Sequence, residues 1–153
     1  MPVNSSIGLW GFNWTSFAIG DQDATPEIIH AFIDTGYTYM TRPSTVLEVY
    51  FAEVSGSSFD KPNNIYDYPC SAELPTLTLG LGDNELEFPG RAFNVTSDGH
   101  CHSALRPAAK GDSLLTDSLV VIGGPVLESL FVVFDFGETL QLGFASQADL
   151  QNH

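Results

Sequence analysis

The chain has 153 residues, 43% of them apolar and only 16% charged, enough to bury a core and too apolar for a disordered tail. Nineteen acidic residues against five basic ones leave a formal charge of −14, which repels phosphate backbones and anionic bilayers and argues against nucleic-acid or membrane binding. No apolar run approaches the ~20 residues of a membrane span. The acidity suits a protein that stays soluble in mildly acidic surroundings.

Residues 7–19 mix aromatic and β-branched side chains and read as strand. A polar connector over 21–26 follows, then an apolar stretch over 28–33 that runs into Asp34-Thr35-Gly36. Val46, Leu47, Tyr50, Phe51 and Val54 share one helical face, with Pro43 near the start and Gly56 past the end. Residues 56–64 read as a polar loop, and 74–79 alternate with period two as a half-buried strand. A turn is expected at 82–85, a strand pair over 86–95 broken at Pro89-Gly90, and polar irregular chain over 97–117. Residues 119–122 read as a buried strand ending at Gly123-Gly124-Pro125, and 131–136 with 139–145 as a hairpin turning near Gly137-Glu138. Together these predict an all-β protein, mostly antiparallel, with one or two short helices and one domain over 1–153.

Cys70 and Cys101 permit one disulfide or two free thiols. Sequons at Asn4, Asn13 and Asn94 tilt the balance toward a bridged, glycosylated protein of the secretory pathway, secreted or vacuolar. Met1-Pro2-Val3-Asn4 lacks the basic and apolar regions of a secretory leader, so a leader removed earlier or an added Met is the expectation. His100-Cys101-His102 lacks the further ligands of a tetrahedral metal site, and Asp21, Asp23 and Glu27 lack the spacing of a calcium loop. Gly123-Gly124 lacks the Lys-Ser/Thr of a phosphate loop. No metal or cofactor is expected.

Four stretches in order resemble the C-terminal lobe of a pepsin-family aspartic protease of fungal type. They are Phe32-Ile33-Asp34-Thr35-Gly36-Tyr37-Thr38, the pair Cys70 and Cys101 with Leu74-Pro75 close behind, Val121-Ile122-Gly123, and Phe131-Val132-Val133-Phe134-Asp135 followed by Gln141-Leu142-Gly143-Phe144-Ala145. The resemblance implies a curved antiparallel sheet, a Cys70–Cys101 disulfide and aspartic-type endopeptidase chemistry. It casts Asp34 as general acid/base, Thr35 as a bond across to a second lobe, and Gly36 as the residue that lets backbone approach the carboxylate. Tyr37, Thr38 and Tyr39 would lie in the binding region, the two tyrosines as core aromatics or as pocket walls.

That chemistry needs two aspartates sharing one proton, and no second Asp-Ser/Thr-Gly is present. The expected partners are therefore a peptide or small-molecule substrate and a second Asp-bearing chain, either a homodimer mate or a separate N-terminal lobe. Tyr37 stands where the family places Ser or Thr, and Gly124-Pro125 where it places Asp-x. These departures keep two other functions open: a binding module without proteolysis, or a lobe using Asp34 alone in other, for example biosynthetic, chemistry.

Overall fold

A computed structural model describes residue 3, residues 9–108 and residues 119–146. In chain order its elements are β1 (Gly11–Ile19), β2 (Thr25–Asp34), β3 (Met40–Arg42), α1 (Ser44–Ala52), β4 (Ser58–Asp60), β5 (Ile65–Tyr68), β6 (Leu77–Leu81) and β7 (Asn84–Phe88). A single 3-10 turn (Gly90–Phe93) leads into β8 (Asn94–Ser97), β9 (His100–Ser103), β10 (Leu105–Pro107), β11 (Leu119–Gly123), α2 (Gly124–Leu127), β12 (Leu130–Asp135) and β13 (Gln141–Ser146). The all-β class with short helices is what the structure shows.

The main sheet has seven strands in the order β10-β3-β11-β2-β1-β6-β7. Most of its pairings are antiparallel, but β11 runs parallel to β2 and β10 parallel to β3. The parallel pair at the centre reads as near-continuous apolar sequence because both faces are covered. Ile29, Ala31 and Ile33 of β2, with Val120 and Ile122 of β11, point into the main core. Phe32 and Val121, one residue out of phase, meet on the opposite face, where Tyr37, Leu119 and Ala108 pack against them.

A second sheet, β4-β5-β9-β8, lies over α1, and β12-β13 form a hairpin. The predicted helical stripe is buried: Val46, Leu47, Tyr50 and Phe51 all face inward, and Val54 is buried just past the helix end. Phe51 stacks on Tyr66 at 3.8 Å between centroids and 8° between planes, which couples helix to sheet. Two hairpins turn where their chemistry dictates. Gly82 (φ 70°) opens the two-residue loop between β6 and β7, and Asp98-Gly99 (φ 51° and 80°) closes β8 on β9 in the doubly positive form that Asp-Gly favours.

Several short strands depart from the expected pattern. The loop expected over 56–64 contains β4, and the irregular stretch over 97–117 contains β9 and β10 within its described part. The turn expected at 82–85 yields Asn84 and Glu85 to β7, and β2 begins at Thr25 inside the expected connector. β3, which no sequence signal marked, continues directly from the Asp34 loop. These strands span three to four residues or lie in polar chain, too little for a period-two pattern to register.

The Cys70–Cys101 bridge is formed, with Cα atoms 5.1 Å apart and 31 residues separating the cysteines. Tyr68, at the end of β5, pairs with Cys101 on β9, so the bridge reinforces a contact the ladder already makes.

Candidate active site

Asp34 closes β2, and register places it opposite Gly123 at the end of β11. The chain then turns: the amide of Tyr37 donates to the Asp34 carbonyl at 3.1 Å, and the amide of Gly36 donates to Asp34 Oδ1 at 2.9 Å. One carboxylate oxygen is thereby fixed by the loop's own backbone. Asp34 is half-buried, while Thr35, Gly36 and Thr38 are exposed and Tyr37 and Tyr39 half-buried. A β-carbon on Gly36 would sit 3.3 Å from Asp34 Oδ1, tighter than ordinary contact, so the carboxylate would have to give by a few tenths of an ångström.

The strand beneath locks the loop from the other side. The amide of Gly124 donates to the Tyr37 carbonyl at 2.8 Å. A β-carbon on Gly123 would run into the carbonyl oxygens of Tyr37 and Tyr39, so the two segments approach to a distance only glycine permits. Buried Thr41 completes the ladder: its Oγ1 accepts from the Val121 amide at 2.8 Å, where β3 and β11 share a single bridge at Met40 and Ile122. Neither Thr41 nor the steric role of Gly123 was singled out in the sequence. The nearest signal was the run of apolar residues before Gly123.

Tyr37 and Tyr39 meet edge to face, 6.1 Å between centroids and 86° between planes. Tyr37 packs on Phe32 and Val121, while the Tyr39 ring carries the guanidinium of Arg106 at 3.4 Å from its centroid. Burial lowers the Arg106 guanidinium from its ordinary value, against the pull of Tyr39 and then Tyr37. Arg106 lies on β10, in a stretch read as irregular, so it went unremarked; the scarcity of cations in the chain is the one signal that could have drawn attention to it.

The other motifs fall elsewhere. His100 and His102 of β9, with Asp60 and Asp67, line an open cleft of about 670 Å³ on the four-stranded sheet that does not include Asp34. Cys101 is taken up by the disulfide, and among the described residues no group of three side chains is placed to hold a metal ion. Asn13 and Asn94 are exposed on β1 and β8, whereas Asn4 lies outside the described residues.

The family model described as eukaryotic aspartyl protease matches residues 1–147. The chain belongs to that family. It is similar to a probable aspartic-type endopeptidase of Arthroderma benhamiae, 31% identical over 150 residues that cover 96% of this chain and 38% of that protein. Endothiapepsin of Cryphonectria parasitica is 31% identical over 95% of this chain and 34% of its own length. Penicillopepsin-1 of Talaromyces stipitatus is 33% identical over 95% and 36%. The chain thus spans little more than a third of the length of these relatives.

Proposed function

We propose that the chain is one catalytic half of an aspartic-type endopeptidase, proteolytic when a second Asp-bearing lobe, from a like chain or a separate one, faces Asp34. The observation that carries this reading is the loop itself. A half-buried carboxylate ends a buried strand, is held at one oxygen by the Gly36 amide, and sits between exposed Thr35 and the Tyr37–Tyr39 wall. Among the described residues none bonds the second oxygen, which in this reading meets a water and a facing carboxylate.

With two carboxylates about 3 Å apart, like charges cannot both ionise, so one holds a proton at acidic pH. The ionised member takes a proton from the bound water as it attacks the peptide carbonyl, and the protonated member donates to the carbonyl oxygen. Asp34 supplies one of these groups. In this reading exposed Thr35 hydrogen-bonds the partner lobe, and Tyr37, Thr38 and Tyr39 border the substrate. The disulfide and the exposed sequons at Asn13 and Asn94 support passage through an oxidising, glycosylating compartment. No helix among the described residues is long and apolar enough to cross a membrane.

The test is cleavage of a denatured protein across pH 2–7 by the chain assembled with its second lobe. Acid-dependent cleavage, blocked by a statin-type inhibitor and lost in Asp34→Asn, is expected. Cleavage that survives Asp34→Asn, or none at any pH from a monodisperse assembly, refutes endopeptidase function. In the second case a binding or single-carboxylate role takes its place.

A further inference from the structure

We propose that Arg106 is a specificity-determining residue, receiving an acidic side chain of the peptide substrate beside Asp34. This inference rests on the endopeptidase reading and names a substrate preference for that same site.

Placement comes first. From Asp34 the loop leads to Tyr37, Tyr37 meets Tyr39 at 6.1 Å, and Tyr39 carries the Arg106 guanidinium at 3.4 Å. β10 runs in register with β3, Arg106 opposite Thr41, so the arginine is fixed to the strand that continues out of the aspartate loop. Leu105 faces the core and Arg106 the other side.

The partners of Arg106 are the second observation. Among the described residues of this acidic chain, no carboxylate pairs with this guanidinium. It lies on the Tyr39 face, and its Nε is buried with no hydrogen-bond partner among those residues. A guanidinium stacked on an aromatic ring keeps its fork in one plane with the edge directed outward. Such a fork is complementary to a carboxylate, which it binds through two parallel N–H···O bonds. An acidic residue near the scissile bond would supply the anion that the described residues do not.

Paired peptides differing only by Glu or Gln at each position flanking one scissile bond test this with the assembled enzyme. At pH 5–6 the wild type is expected to favour Glu at one position by about tenfold in kcat/KM, the size of a charge-assisted bond. The preference should fade below pH ~4 as the substrate carboxyl protonates. Arg106→Gln should bring the Glu-to-Gln ratio of kcat/KM to about one whatever its overall rate, and Arg106→Lys should keep part of the preference. A pH-independent preference, one that survives Arg106→Gln, or none in the wild type overturns the proposal. So does an Arg106→Gln variant that loses assembly rather than selectivity, because the anion would then belong to the partner lobe. If neither peptide is cut, the endopeptidase reading fails on its own account. Equilibrium binding of the same pair then reads Arg106: tighter Glu binding lost in Arg106→Gln supports the assignment, and equal binding refutes it.

Discussion

Arg42 ends β3 and is 1% exposed, with its guanidinium 4.2 Å from the centroid of Trp14 and Nη2 donating to Met40 Sδ at 3.5 Å. Its Nε and Nη1 are buried without partners, as is Glu27 Oε2. Burial pulls Arg42 down to about 9, against the attraction of Glu27. The sign follows from proton counting: from about 9 up to the ordinary arginine range the unfolded chain binds the proton that the folded one has lost, so stability rises with pH there. Below about 9 the full cost of the buried charge is present. The double variant Arg42→Met, Glu27→Gln removes both charges and should therefore match or exceed the wild type near neutral pH, by up to about 1–4 kcal/mol in a denaturant melt. Its advantage should shrink above pH 9. A variant clearly less stable than wild type at pH 7 would show that the Trp14 and Met40 contacts outweigh the desolvation. Gly123 is the opposite case. Its backbone is ordinary (φ −95°), so the demand for glycine is steric and comes from the Tyr37 and Tyr39 carbonyls. Gly123→Ala should cost about 1–3 kcal/mol through overpacking and displace the Asp34 loop. The measurement is a melt paired with acid proteolysis, and activity should fall further than stability does.

At the level of elements, what could be read from sequence follows from how each element is built. Helix α1 was legible because five apolar residues keep helical spacing and Pro43 and Gly56 punctuate it. β11 and the β12–β13 hairpin were legible because burial of alternate or successive residues leaves a long apolar record. β3 and β10 are three residues each, and their identity comes from partners 65 residues apart, Leu105 on Met40, which no local pattern encodes. The same holds at the site. Asp34-Thr35-Gly36 stood out as a motif, but Arg106 and Thr41 join it only through the fold. The disulfide acts at this scale too. Closing 31 residues removes chain entropy worth about 3–4 kcal/mol. Replacing both cysteines by Ser should lower the unfolding free energy by that order, with the β5–β9 ladder losing amide-exchange protection first. An unchanged denaturant midpoint would place the constraint in the ladder and not in the bridge.

For the whole molecule, the hairpin carries the consequence that reaches furthest. Phe134 and Phe144 turn inward, Phe134 against Trp10 at 5.0 Å and Phe144 against Phe12 at 5.2 Å. Their neighbours on β12, Phe131 and Val133, point out and are 57% and 60% exposed, and Phe136 beyond them is 75% exposed. Register sets Ala145 opposite Phe131 and Gly143 opposite Val133, so the outer face is apolar across both strands. An exposed apolar face of this kind on a chain of charge −14 suits a docking surface. In the enzyme proposed above, the second lobe is the expected occupant. Replacing Val133 by Lys puts a charge at the centre of this face without touching the inward-facing aromatics. Light scattering of the wild-type assembly against Val133→Lys should show loss of the larger species, with the variant chain's own melt unchanged. Acid proteolysis should disappear with the assembly although Asp34 is intact. If the variant assembles and cleaves like wild type, the partner docks elsewhere, and Asp34 meets its counterpart across a different face.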